Sequence, residues 1–409
     1  MIYYLFSTGV NKSFSILISP ILLFLFLPAT VGEFLFFVLC LSLSAPLLCC
    51  NLPATIIQSK TTFNFSDVEF SSHFLTVLFS MAVGTVISSI SLEWGVYIWG
   101  AISEAFFLIT LSIHRAKNER KIYALCSVLR VVFFFVLISA SIDLRVSYTI
   151  ANFAVSFIVL NKFIRCVFNQ TIYSKFTFKA LEFGIGLIPH QFGQWLSNSG
   201  GRFILSLMSG ATSLALFTKS LIISILIIVL NSALIIYLPR KLVDDYEGFL
   251  QSGIESKIAK LVLVYLVISF VFVFLFFSLN NVLLSDFLAS LGFDGQTILI
   301  GFICSLAYVN YSYYILFVNY LFYHKESVII SKVTLVFSGV SILTAIILTY
   351  FYEQLGLGVG LWLSSILYVF LIARKAVMFE SKVLATFKFF KLNLLLQIFM
   401  AIILILMGK

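Results

Sequence analysis

From Tyr3 to Met407 the chain is a succession of apolar runs of about 20 residues, broken by short polar or basic loops, and that is the length a helix needs to cross a bilayer. Backbone in lipid must satisfy its own hydrogen bonds, so runs of this kind form transmembrane helices. Composition agrees: 61% of the 409 residues are hydrophobic and 11% charged, against about 25% charged in a soluble domain. The sequence therefore predicts an all-α polytopic membrane protein with about 12 transmembrane helices, or 13 with the last run. The runs fall at roughly 3–27, a second ending near 57, 72–92, a fourth ending near 113, 122–142, 147–161, a seventh opening at 182, 212–237, 260–279, 296–322, 328–352 and 356–373. The last, 392–407, is short and Leu-rich, and reads as a span or an interfacial segment. Asn11 and Lys12 interrupt the first run and no small-residue cleavage site follows it, so it reads as a retained helix rather than a signal peptide.

The formal net charge of +9 would suggest nucleic acid in a soluble protein, but here the cations sit in alternate loops. Lys60, Arg115 to Lys121, Lys162 to Lys179, Arg240 to Lys260, Lys325 and Arg374 to Lys391 fall on one side, against Arg145 on the other, with Lys409 if the last run spans. Lys/Arg-rich loops stay in the cytoplasm, which places the N-terminus there too and explains the basic balance without nucleic acid. Six cysteines in or beside apolar runs, with no Cys-x-x-Cys or Cys/His cluster, read as buried free thiols; neither a metal site nor a cofactor is expected. The runs divide into two sets, giving an N-terminal six-helix lobe at 1–165, a cytoplasmic linker at 166–180, a C-terminal six-helix lobe at 181–375 and a basic segment with an extra helix at 376–409. Transporters commonly place their site between such halves.

The stretch 182–241 carries the first chemistry. Gln191, Gln194, Asn198 and Arg202 recur at three- or four-residue steps, which puts them on one face of an α-helix, and a polar stripe ending in a guanidinium suits a water-filled cavity better than lipid. Once loop charges are set aside, Lys12, Arg130, Arg202, Lys219 and Lys332 remain in apolar runs, where an ionised side chain costs about 2.5–3.5 kcal/mol at the helix centre. Lys332 is near enough to its helix end to snorkel to the surface. Arg130 reads equally as a packing or ion-pair residue and as a cavity cation. Lys12 lies beside Asn11 and Ser15, and Lys219 beside Thr218 and Ser220. Glu104 is the one deep carboxylate, either the counter-charge of a cavity cation or a protonatable group for ion coupling. One acid cannot neutralise several cations, and the surplus predicts an anionic ligand at Lys12, Arg202, Lys219 and Arg130, with Asn11, Ser15, Gln191, Gln194 and Asn198 as polar lining.

Tyrosines and asparagines crowd 308–323, where helix packing and an interface belt compete with stacking on sugar rings. Gly356-x-Gly358-x-Gly360 follows no strand and enters a membrane helix, so it reads as close helix packing rather than a nucleotide loop. Asp67-Val-Glu69 could imitate an acidic metal motif, but it falls in a short loop.

Gly186-Leu-Ile-Pro189, then Arg202-Phe-Ile-Leu-Ser-Leu-Met-Ser-Gly210, then a helix closing at Leu238-Pro239, resemble the seventh and eighth helices of the Wzx-type polysaccharide flippases of the MOP (MATE-like) superfamily. Leu27-Pro28-Ala-Thr-Val-Gly32-Glu33-Phe34, His114-Arg115-Ala116-Lys117 and Gly356-Leu-Gly358 resemble the family's first outer turn, its basic loop after helix four and its Gly-rich start to helix twelve. The chain departs from the pattern at Gly201, where the family carries an acid before the arginine. The resemblance implies a transporter rather than an enzyme, with two six-helix lobes that open a central cationic cavity alternately to each side of a bacterial inner membrane. Its substrate would be an undecaprenyl-pyrophosphate-linked oligosaccharide, its partners membrane lipids, a polysaccharide polymerase and chain-length proteins. In that setting Lys12, Arg202 and Lys219 would meet the pyrophosphate. A multidrug or cation antiporter of the same superfamily would favour acids in the cavity. A membrane-embedded polymerase or glycosyltransferase would favour a large outer loop, where 280–297 offers only Asp286 and Asp294.

Overall fold

A computed structural model describes residues 14–51, 53, 56, 81–116 apart from 83, 87 and 90, then 119–167, 184–185, 188–244, 253–278, 293–324, 326–379 and 383–407. All regular structure among them is helical: α1 (Phe14–Leu25), α2 (Pro28–Leu48), α3 (Leu92–Ala116), α4 (Arg120–Ser139), α5 (Leu144–Val167), α6 (Ile188–Trp195), α7 (Gly201–Ser220), α8 (Ile225–Asp244), α9 (Ile254–Ser278), α10 (Gly295–Tyr323), α11 (Ser327–Phe379) and α12 (Leu384–Met407). Eight helical runs among the described residues are long and apolar enough to cross a bilayer. Asn11, Lys12, Asp67, Glu69, Asp286 and the greater part of the third expected run lie outside the described residues. So does the expected linker beyond residue 167.

The seventh and eighth expected helices are interrupted where a straight reading of the sequence has them continuous. A π-helical turn, Leu196–Gly200, separates α6 from α7, and a 3-10 turn, Leu221–Ser224, separates α7 from α8. Ser197, Asn198, Ser199, Gly200 and Gly201 favour such a turn, because small polar residues compete for backbone hydrogen bonds and glycine supports a regular helix poorly. Inside α7 two helices meet at Gly210, whose φ of 85° and ψ of 174° only glycine adopts without strain.

Helix α11 likewise comprises two helices that meet at Glu353, with φ 46°. They run antiparallel. A Cβ on Gly356 would lie 1.9 Å from the Leu348 carbonyl oxygen, one on Gly360 would lie 3.4 Å from that of Thr344, and Thr334 and Tyr368 hydroxyls meet at 3.0 Å. The glycine-rich stretch thus serves close helix packing, with Gly358 turned to Ile303 and Cys304 of α10.

Contacts divide the chain into two compact units, Glu33–Trp195 in one and Lys12–Gly32 with Leu196–Lys409 in the other. In the first, α3 packs on α4 and α5, with Ile102, Ala105, Phe106 and Ile109 against Ala45 and Cys49. In the second, α10 is the central post: α7, α8, α9, α11 and α12 all pack on it, and Val309, Tyr313, Phe317, Tyr320 and Leu321 are buried there. Helix α1 packs on α7 within this unit. Apolar side chains on α4, α9 and α12 face outward, as lipid-facing surfaces do.

The last helix is 24 residues long and begins earlier than its apolar run. Gln397 and Asn393 within it are buried and hydrogen-bonded. Gln397 Nε2 donates to Asn310 Oδ1 at 2.8 Å and Asn393 Oδ1 at 2.6 Å, while Trp362 Nε1 donates to Gln397 Oε1 at 2.8 Å. These bonds tie α12 into the second unit, with the length and composition of a span.

Candidate functional site

The first unit holds a buried polar cluster. Arg130 Nη1 of α4 lies 3.5 Å from Glu104 Oε2 of α3, with side chains 3% and 13% exposed. Two donors from α5 reach the same oxygen, Tyr148 Oη and Asn152 Nδ2, each at 2.9 Å. The Arg130 guanidinium also lies 4.3 Å from the Phe107 ring centroid and donates to Tyr148 Oη at 3.4 Å. Glu104 is therefore the counter-charge of Arg130, and two hydrogen-bond donors converge on the same oxygen beside the guanidinium. Tyr148 and Asn152 were not singled out in the sequence. Their i,i+4 spacing on an apolar helix, continued by Ser156, is the signal that marks them.

Of the polar stripe expected from the sequence, Gln191 belongs to the first unit and Arg202 to the second. Gln191 Nε2 donates to Asn51 Oδ1 at 3.3 Å, and Trp195 Nε1 donates to Ser42 Oγ at 2.9 Å, all within the first unit. A π turn, Leu196–Gly200, lies between Gln191 and Arg202 in the chain. The side chains of Ser15, Gln194 and Asn198, like the whole of Asn11 and Lys12, are outside the described residues.

Arg202, just after the π turn, lines a pocket of about 50 Å³ in the second unit with Tyr308, Tyr311 and Tyr314 of α10 and Phe337, Ser364, Ser365 and Tyr368 of α11. None of the described lining residues is acidic. Four rings form a staircase along one wall: Tyr311 on Tyr314 at 5.1 Å, Tyr314 on Tyr368 at 4.1 Å and Tyr368 on Phe337 at 3.8 Å. Arg202 Nη2 donates to Ser199 Oγ at 3.3 Å, so the π turn itself orients the guanidinium. The pocket exceeds the roughly 10–15 Å³ that one water needs, and its cation, hydroxyls and ring faces suit a small anionic or hydroxylated group. The spacing of Tyr308, Tyr311 and Tyr314 at three-residue steps places them together, a pattern that the crowding of tyrosines along the whole helix conceals.

Gly201 is as constrained as its neighbour. A Cβ there would stand 2.6 Å from Leu357 Cδ1, so no acidic side chain fits unless Leu357 moves.

Lys219 does not line this pocket. It is 6% exposed, and its Nζ lies 4.6 Å from the Phe293 ring centroid, within the electrostatic reach of Asp294. Asp294 precedes α10, and its Oδ1 accepts from the Thr297 backbone N–H at 2.8 Å. Burial pushes the Asp294 carboxyl upward, but its bonds to Thr297 and the Lys219 charge outweigh that, and its pKa lies below the ordinary value. Of the four expected ligand cations, Arg202 lines the pocket, Arg130 pairs with Glu104 in the other unit, Lys219 turns to Phe293, and Lys12 is outside the described residues.

Fold and site together define a polytopic all-α membrane protein built of two compact helical units. Its fold is that of the MATE-like transporters. The chain is similar to a multidrug-resistance MATE family transporter of the MOP superfamily in its outward-facing conformation, with a TM-score of 0.61 and 16% identity over 95% of each chain. It is similar to the lipid II flippase MurJ, inward closed, with a TM-score of 0.62 and 13% identity over 98% of this chain and 92% of that one. A MOP superfamily transporter from Pyrococcus furiosus, described as having a binding pocket of reverse polarity, matches with a TM-score of 0.59 and 14% identity over 93% and 95%. These structures are transporters and a flippase, not enzymes. No family model matches the sequence, and no curated protein matches it.

Proposed function

We propose that the chain is a flippase that carries an undecaprenyl-pyrophosphate-linked oligosaccharide, an O-antigen or related repeat unit, from the cytoplasmic to the outer leaflet of a bacterial inner membrane by alternating access. The observation that carries this reading is the pocket of Arg202, whose lining combines a guanidinium with tyrosine and serine side chains and, among the described residues, no acid. A guanidinium binds phosphate oxygens in a fork, and tyrosine faces and hydroxyls suit the sugars attached to them. The pocket admits a small group at a time, so it would hold part of a head group rather than an oligosaccharide. An exporter of cationic drugs would instead want an acid open to its substrate, and Glu104 is neutralised by Arg130. The fold accommodates either chemistry: among the structures it resembles are multidrug transporters and a lipid II flippase, and one whose pocket polarity is described as reversed. The basic loops favour a cytoplasmic N-terminus.

The test is deletion of the gene in its host. Lipid-linked repeat units should accumulate in the cytoplasmic leaflet and return to normal on complementation. Unchanged lipid-linked pools with altered drug resistance would favour the antiporter instead.

A further inference from the structure

The first half of α12 carries two stripes. Thr386, Phe390, Asn393 and Gln397, at steps of four, three and four, are buried, and Leu384, Lys388, Lys391 and Leu395, at the same steps, are exposed. Hydrogen bonds fix which stripe faces which way. The Thr386 hydroxyl donates to Glu255 Oε2 of α9 at 3.0 Å, and the Gln397 amide donates to Asn310 of α10. The helix cannot roll Lys388 or Lys391 inward without breaking both. At 24 residues, α12 is about 36 Å long at 1.5 Å per residue, against a hydrocarbon core of about 30 Å. Its first turns therefore reach head-group depth, and from Leu392 on its exposed face is apolar through Leu395, Ile398, Phe399 and Ile402.

The Phe387 ring lies between the stripes and is pinned by Phe317 at 6.3 Å, Phe390 at 6.2 Å and the exposed Phe370 of α11 at 6.1 Å. Lys391 Nζ rides on that ring, 4.8 Å from its centroid, so the ammonium is turned back toward the start of the helix, the direction in which this lysine snorkels. Arg374, one turn beyond Phe370 on α11, is exposed, and so is Lys388 next to Phe387. Ion pairs among the described residues have only His114, Arg130 and Arg145 as their cations, so no described acid lies within salt-bridge distance of Arg374, Lys388 or Lys391. We infer that these three cations bind the phosphate of an anionic phospholipid from the leaflet in which α12 begins, with an acyl chain lying along Leu392 and Leu395. The assignment is independent of the flippase reading above. Three cations around a fixed aromatic pair complement a phosphate, and the apolar surface that continues from them into the hydrocarbon complements the chains. A zwitterionic head would bring its own ammonium against the cations, and an acidic protein segment would leave the apolar stripe below them uncovered.

Native mass spectrometry of the full-length protein in detergent tests the site, with phosphatidylglycerol and phosphatidylcholine of the same acyl chains as probes. Wild type should retain phosphatidylglycerol in preference to phosphatidylcholine. A basic side chain near an anionic lipid surface is worth about fivefold in binding, so Lys388→Gln with Lys391→Gln should lower phosphatidylglycerol retention by about twenty-fivefold and leave phosphatidylcholine as it was. Lys388→Arg with Lys391→Arg keeps both charges and should restore retention. Lys257→Gln, which removes an exposed cation from the start of α9, should leave it unchanged. If the double variant fails to insert, Arg374→Gln gives the same readout from the second helix, with a loss of about fivefold. Equal phosphatidylglycerol retention by wild type and the charge-removed variants overturns the inference and returns the patch to solvent or a protein partner. An equal loss in Lys257→Gln overturns it too, since the basic surface would then be diffuse. Displacement of the lipid by glycerol 3-phosphate at matching concentration would make the patch a site for free phosphate rather than for phospholipid.

Discussion

The Arg130 guanidinium and the Glu104 carboxylate meet at 3.5 Å in the interior of the first unit, and Tyr148 and Asn152 close on the same carboxylate oxygen. The arrangement joins α3, α4 and α5 through a single atom. Removing one partner strands the other in a medium that solvates it badly, at about 3–5 kcal/mol for a buried pair. Arg130→Ala and Glu104→Ala should each lower the thermal stability of the detergent-solubilised protein by a large margin. The double change Arg130→Met with Glu104→Gln should recover much of that loss, since it leaves no uncompensated charge. A double variant no more stable than the singles would show that the cluster does more than neutralise itself.

Arg202 should behave in the opposite way. It lines a pocket rather than a packed core, so Arg202→Ala should insert and fold while export fails. Hydrogen bonds to charged groups contribute about 1.5–3 kcal/mol, so loss of one set should weaken substrate binding roughly ten- to a hundredfold. Arg202→Lys keeps the charge but not the planar fork and should restore export only in part. Measuring lipid-linked sugar in the outer leaflet checks both, and full export by Arg202→Ala would remove Arg202 from the site.

Gly201 sets a steric test. With Leu357 Cδ1 2.6 Å from where a Cβ would stand, Gly201→Asp should cost about 1–3 kcal/mol as overpacking. Shortening the obstruction with Leu357→Ala should return part of that stability in the double variant, measured as a thermal shift. Equal losses in the single and double variants would place the cost elsewhere.

Asp294 caps α10 through the Thr297 N–H at 2.8 Å, and Asp294→Ala should cost about 1 kcal/mol. Its pKa in the folded protein lies below the ordinary 3.8. A depressed carboxylate stabilises the fold above its unfolded pKa, and that contribution fades as pH falls through the lower folded value. The gap in stability between wild type and Asp294→Ala should therefore be constant near neutrality and shrink below about pH 4.

Much of the fold was legible because lipid imposes a simple rule. Run length located α4 and α10 to within a few residues, while α2 ends at Leu48, well before the expected 57, and the glycines from Gly356 marked where two helices touch. What the sequence hid was local geometry. A stripe from Gln191 to Arg202 presupposes a regular helix, and the chain between them contains a π turn at Leu196–Gly200. Charge counting, likewise, cannot say which acid a lysine or arginine meets. Arg130 found Glu104 through a tertiary contact, and Lys219 found Phe293 and Asp294 across a sequence gap of more than seventy residues. Arg202 stands out in the sequence as a charge in an apolar run, whereas Ser364, Ser365 and Tyr368 join it in one pocket only through the hairpin of α11.

The last helix offers the remaining test, because a Leu-rich segment with two buried amides is either a lipid-facing appendage or part of the unit. Gln397 is fully buried, its amide donates to Asn310 and Asn393, and its carbonyl accepts from Trp362. Replacing it with leucine leaves buried groups on three side chains without their bonds, and each stranded group costs about 1–3 kcal/mol. Gln397→Leu should therefore destabilise the protein although it raises hydropathy, and Leu395→Gln, on the exposed face, should impair insertion rather than packing. Thermal unfolding in detergent measures the first and membrane yield the second. A Gln397→Leu variant as stable as wild type would mean that α12 is held by its apolar contacts alone.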